Sequence, residues 1–147
     1  MTAIVAAFVF LAVPAGPAEA RGEVTSMEAY LWQNRPVLVF APDADHPLIA
    51  AQRAVLAGEA AGLADREIVV IEIVAGRVTV DGRPAPGLAG DALRKRYSVR
   101  DDEAVALLVG KDGGVKIRQE RALTAEALYP TIDAMPMRRQ EMRARGQ

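Results

Sequence analysis

Asp43, Asp45 and His46 are the residues with the most obvious chemical potential, because Pro42-Asp43-Ala44-Asp45-His46-Pro47 sets two carboxylates beside the chain's single imidazole. Such a set could take a divalent cation if a fourth ligand came from elsewhere, and the sequence identifies none. The plainer use is local: Asp45 caps a following helix, Asp43 shapes the turn before it, and His46 faces solvent. Other chemistries fail on inventory. The chain has no cysteine, so it has no thiolate for redox work, no disulfide and no site for a cysteine-linked lipoprotein anchor. Beyond the apolar N-terminal segment the serines are Ser26 and Ser98, neither in a Gly-x-Ser-x-Gly elbow, and one histidine leaves a hydrolytic triad without support. The run Asp101-Asp102-Glu103 reads as a solvated loop balancing Arg94, Lys95, Arg96 and Arg100.

A second group lies near the C-terminus, where Met135-Pro136-Met137-Arg138-Arg139 falls inside a helical pattern from Thr124 to about Arg143. Pro130 and Pro136 each remove a backbone donor and obstruct the carbonyl four residues earlier, at roughly 3 kcal/mol for an interior proline, so the helix should kink or break. One use of the bend is to wrap the helix around a sheet. The other is to lift Met135 and Met137, which are flexible and polarizable, into a docking surface with Arg138 and Arg139 at its rim. On that reading residues 132–142 matter more for binding than for folding. The arginines Arg138, Arg139, Arg143 and Arg145 also suit a helix C-terminus, or contact with an anionic membrane.

The elements that must position these residues follow from periodicity. Thr25 and Glu28 form a capping-box pattern ahead of a short helix carrying Met27, Tyr30, Leu31 and Trp32. Val37 to Ala41 is a buried strand, Pro47 to Leu63 an amphipathic helix, and Ile68 to Val74 a second strand. Gly76 to Gly90 holds a small hairpin turned at Asp81-Gly82. A short helix spans Asp91 to Tyr97, a third apolar strand Ala104 to Val109, and an alternating strand Val115 to Arg118, before Thr124 caps the last helix. The order strand, helix, strand, helix, strand, strand, helix predicts a single α/β domain of thioredoxin-like order. Its central mixed sheet should carry a parallel pair and an antiparallel edge, flanked by helices.

The segment Thr2 to Val13 is apolar and is followed by Pro14, Gly16, Pro17 and the triplet Ala18-Glu19-Ala20. This is the pattern of a signal peptide over residues 1–20 cleaved after Ala20, and it falls well short of the ~20 apolar residues of a membrane span. Its loss removes Glu19, which brings the 19 acidic side chains level with the 18 basic ones. A chain without basic surplus is a poor candidate for nucleic acid. The expectation is therefore a periplasmic or secreted domain with no stable membrane anchor.

The segments Tyr30 to Pro42, Asp65 to Ile71, Leu93 to Tyr97, Gly110 to Lys116 and, most specifically, Ile132 to Met142 resemble the domain-of-unknown-function family numbered 4174. That family is thioredoxin-like and peroxiredoxin-related, and also recurs in vertebrate matrix proteins. The resemblance implies the fold over residues 27–143 and brings no catalytic residues. In such folds a redox pair sits where the first strand meets its helix, here Pro42 to Leu48, and a cis-proline enters the third strand, where Asp101 to Val105 has none. The leading expectation is an exported, non-catalytic protein-binding or adhesion module without cofactor, whose partner and oligomeric state the sequence leaves open. The alternative is a cysteine-independent enzyme or metal-binding protein using Asp43, Asp45 and His46.

Overall fold

Apolar runs of strand length, separated by helical patterns, fix the layers of the molecule. The computed structural model describes residues 26–147, so the expected signal peptide and Thr25 lie outside the described residues. A short 3-10 helix (Met27–Tyr30) leads to strand β1 (Arg35–Ala41), helices α1 (Pro47–Leu56) and α2 (Ala60–Asp65), and strand β2 (Ile68–Val74). Strands β3 (Arg77–Val80) and β4 (Arg83–Pro84) follow, then α3 (Gly90–Arg96), β5 (Val105–Val109), β6 (Val115–Gln119), α4 (Ala125–Asp133) and α5 (Pro136–Ala144).

The six strands form one sheet in the order β4-β3-β2-β1-β5-β6. β1 pairs parallel with β2, and antiparallel with β5, which in turn pairs antiparallel with β6. Strands β2-β1-β5-β6 thus reproduce the expected mixed core of a thioredoxin-like α/β fold, and β3 and β4 extend its β2 edge as the predicted hairpin. The turn Asp81-Gly82 holds both residues at positive φ, as a two-residue hairpin requires.

Every residue of β1 is buried, because the strand is central and both faces are covered. Leu38 and Phe40 pack with Ile71, Leu93, Tyr97 and Leu107 under α3. Val37 and Val39 pack on the other face with Leu48, Ile49, Leu108, Leu128 and Ile132 under α1 and α4. Gln52 is buried in α1 and exchanges hydrogen bonds with the backbone of Leu123, its Nε2 donating to the carbonyl at 2.9 Å and its Oε1 accepting from the amide at 2.8 Å.

Four local expectations are corrected. The helix expected over Pro47 to Leu63 is two helices, interrupted at Ala57-Gly58 where Gly58 takes a φ of +83°. At the 3-10 helix Ser26 occupies the cap position without a side-chain bond, and Glu28 pairs with Arg96 instead. Thr124 precedes α4 but its side chain makes no cap bond. The last helix breaks as expected at Ala134-Met135, just before Pro136, but not at Pro130, which α4 accommodates. Pro136 is the first residue of α5, where a missing N–H costs nothing, and Met135 before it is extended as a residue preceding proline prefers.

Candidate functional site

The carboxyl end of β1 is where the fold would place redox chemistry. Asp43 Oδ1 accepts from the Asp45 amide at 3.0 Å, so Asp43 shapes the turn as expected. His46, not Asp45, caps α1: its Nδ1 accepts from the Leu48 amide at 3.2 Å, and Pro47 begins the helix. The imidazole therefore has one nitrogen already engaged, while Asp43 and Asp45 are exposed. Among the described residues no group of three or more histidine, aspartate or glutamate side chains is arranged to hold a metal ion.

Behind this turn lies Arg94, which is buried and not part of the solvated balance read from the sequence. Its Nη2 donates to the carbonyl of Ala41 at 2.9 Å, and its Nη1 to the carbonyls of Arg100 and, at 3.3 Å, Glu103. The guanidinium also lies 5.6 Å from the Phe40 ring centroid. It bolts the end of β1 to the loop before β5, the two segments in which a redox pair and a cis-proline were sought. No cis peptide occurs among the described residues.

The amino end of β1 is held by charge. Arg35, with 1% of its surface exposed, donates to both carboxylate oxygens of Glu141 in α5 at 3.0 and 3.2 Å and to the carbonyl of Arg66 at 3.0 Å. Buried Lys111, from the β5–β6 turn, bonds the same Glu141 at 2.7 Å and also Glu67. Arg138 is 1% exposed, bonds Asp133 at 3.1 Å and the Asp65 carbonyl at 2.8 Å, and pairs with the Asp65 carboxylate. Arg66 forks onto Asp133 at 2.7 and 3.1 Å, with its guanidinium 3.9 Å from the Tyr129 ring centroid. Arg145 adds a contact to Asp65 at 3.1 Å.

These contacts shift the carboxyl groups. The Arg138 hydrogen bond holds Asp65 below its ordinary value. At Glu141 burial pushes upward, but bonds from Arg35 and Lys111 outweigh it and the net shift is down. Asp133 behaves likewise, with Arg66 and Arg138 prevailing over burial. Tyr129, partly desolvated and bonded to Glu59 at 2.7 Å, is pushed up to about 12.

Arg138 is thus an interior latch and not the rim residue expected from the sequence, so this one residue of the 132–142 segment serves the fold. Met135 and Met137 are half-buried and line a cleft of about 80 Å³ with Arg35, Lys111, Pro136 and the paired Asp112 and Lys116. Arg139 and Arg143 are exposed and form no ion pair among the described residues. Sequence reasoning placed Trp32 in the short helix and gave it no site role, whereas it lies beyond Tyr30, is 63% exposed at a φ of +64°, and its amide donates to the Lys111 carbonyl at 2.7 Å. Its signal was a large aromatic at the end of the apolar helical pattern, next to Gln33-Asn34.

It also passed over Glu72, one acid in the strand Ile68-Val69-Val70-Ile71-Glu72-Ile73-Val74. Glu72 is 8% exposed and takes a bidentate bond from Arg53.

Fold and sites together define a cysteine-free domain of thioredoxin-like order, without a thiolate at the end of β1. The family model described as Domain of unknown function (DUF4174) matches residues 26–141, and the chain belongs to that family. No solved structure matches it.

Proposed function

We propose that this chain is an exported, non-catalytic thioredoxin-like module that holds a protein partner through the surface around Met135, Pro136 and Met137. To that surface we assign Trp32, whose amide bonds the Lys111 carbonyl, and the exposed Arg139, two residues after Met137. The observation that carries the reading is the cleft itself. Two half-buried methionines line it beside cationic side chains, and the Lys111 turn that closes it also seats the most exposed aromatic residue described. Methionine, tryptophan and arginine are the residue types enriched at protein interfaces. The partner would present apolar side chains to the methionines and acidic groups to Arg139 and Arg143.

The test is crosslinked affinity capture of the exported protein from periplasmic extract, comparing wild type with Met135→Ala/Met137→Ala and with His46→Ala. The first variant should lose a partner that wild type and His46→Ala both retain. Equal capture by all three proteins removes the reading. Export is checked separately by N-terminal sequencing, with Arg21 the expected first residue and Met1 the overturning one. Zinc titration addresses the metal-binding alternative, which requires His46-dependent uptake by the pure protein.

A further inference from the structure

The Glu72–Arg53 pair sits where packing gives no reason for it. The other six residues of β2 are isoleucine or valine. A carboxylate buried among them carries a desolvation penalty that an apolar residue would avoid, so the pair earns no place through stability alone. Its geometry suggests a different use. Arg53 Nε donates to one carboxylate oxygen at 2.8 Å and Nη2 to the other at 2.6 Å. The guanidinium is thereby fixed in orientation, although its side chain is 67% exposed and its Nη1 has no hydrogen-bond partner among the described residues.

Across the sheet Thr79 is registered opposite Glu72, and its buried hydroxyl oxygen has no partner either. These three residues border a groove of about 320 Å³ between α1 and the β2–β3 hairpin, which Ile49 and Val74 line with apolar surface and Arg77 closes with a second guanidinium. Arg77 is exposed and forms no ion pair among the described residues.

We propose that this groove binds a small organic monoanion, a carboxylate carrying a short apolar body. Arg53 and Arg77 grip the carboxylate, Ile49 and Val74 accept the body, and Glu72 is a positioning residue that holds Arg53 ready. With Arg53, Arg77 and Glu72 together the lining carries one surplus positive charge, matched by a monoanion. Guanidinium groups present planar paired donors that fit a carboxylate, and an arginine already locked by a neighbour loses little freedom when it binds. A cationic ligand would have to displace Arg53 from a bidentate pair and then face two guanidiniums. The volume lies at the small end of ligand pockets. The groove flanks α1, away from the methionine cleft, so this inference does not rest on that surface.

The test is an amide NMR titration of the full chain with hexanoate, with hexylammonium as the charge-reversed probe. Hexanoate should give saturable shifts centred on Arg53, Val74 and Thr79, and hexylammonium should not. Arg77→Gln, an exposed change that leaves the fold intact, should weaken hexanoate about tenfold. Glu72→Gln decides the role of the carboxylate: a positioning role predicts weaker binding even though a negative charge has been removed. Tighter hexanoate binding in Glu72→Gln, equal or better binding of hexylammonium, or no saturable shift with hexanoate overturns the proposal.

Discussion

At the carboxyl end of β1, Arg94 donates its hydrogen bonds to main-chain carbonyls, whereas at the amino end Arg35 and Arg138 donate to carboxylates as well as to the carbonyls of Arg66 and Asp65. The first arrangement ties a cation to neutral acceptors. It fastens Ala41 to the loop before β5, and no acid need be ionised for it to hold. The second is an ionic latch that spans the chain from Arg35 to Arg145, and it exists because α5 turns Arg138 and Glu141 toward the protein, with Arg145 reaching Asp65 from just beyond the helix end. A helix that docks with its charged face cannot rely on apolar burial. The comparison teaches that one residue type stabilises the two ends of a strand by mechanisms with different sensitivities: the tie to loss of geometry, the latch also to protonation.

Breaking the latch should have the largest effect. Arg35→Ala leaves Glu141 partly buried and short of a partner, and such a loss costs about 3 kcal/mol, read as a lower denaturant midpoint. Replacing Arg35 by Met together with Glu141 by Leu should recover much of that loss, because both charges then leave the interior. If the double variant is no better than the single one, the latch has another basis. At the opposite end Arg94→Met removes donors from three carbonyls and should cost about 2 kcal/mol.

Acid sharpens the contrast. Asp65, Asp133 and Glu141 all have folded values below their ordinary 3.8 to 4.5. A depressed folded value means that the unfolded chain binds the proton first as pH falls. The latch therefore contributes fully above the ordinary carboxylate range, and its contribution is lost as pH drops through that range toward the folded values. The latch's contribution to the unfolding midpoint should be constant down to about pH 5 and fall below about pH 4. The fall should persist in Arg94→Met and be blunted in the Arg35→Met/Glu141→Leu protein.

The cap at α1 is a smaller matter and separates two assignments. His46→Ala should cost about 1 kcal/mol, and Asp45→Ala almost nothing, since the imidazole and not the carboxylate accepts from the Leu48 amide. A reversed order in thermal melts would restore Asp45 to the role the sequence suggested.

How much of this was legible follows from what periodicity encodes. The strands at Val37, Ile68, Ala104 and Val115, and the turn at Asp81-Gly82, were readable because burial and turn geometry write themselves into neighbouring residues. The break at Gly58 was not, since apolar spacing continues through Leu63 and a lone glycine is tolerated in helices. The latch was invisible for a different reason. Arg35 and Glu141 are 106 positions apart, and a surface arginine is indistinguishable by type from a buried one. Met135 and Met137 could be found as an unusual string, but the neighbour that turned Arg138 inward, Asp65, lies in another helix. Glu72 offered a usable signal, an acid within an apolar strand, that was not taken up.

Trp32 should give the smallest change in stability and the clearest contrast between folding and binding. Its φ of +64° is a conformation that a bulky side chain adopts at roughly 1 kcal/mol, and glycine would relieve that strain. Glycine also frees the unfolded chain, which opposes the gain. The hydrogen bond from the residue 32 amide to the Lys111 carbonyl survives the change, because it comes from the backbone. Most of the indole is in solvent, so little burial is lost. Trp32→Gly should therefore shift the unfolding free energy by no more than about 0.5 kcal/mol in either direction. Partner capture should nonetheless fall as sharply as in Met135→Ala/Met137→Ala, since an exposed aromatic held at a strained angle has no evident use to the isolated fold. A variant that captures its partner as well as wild type places Trp32 outside the docking surface. One that loses well over 1 kcal/mol shows instead that the indole packs the Gly110–Gly114 turn, and the amino end of β1 would then be held by apolar contact as well as by charge.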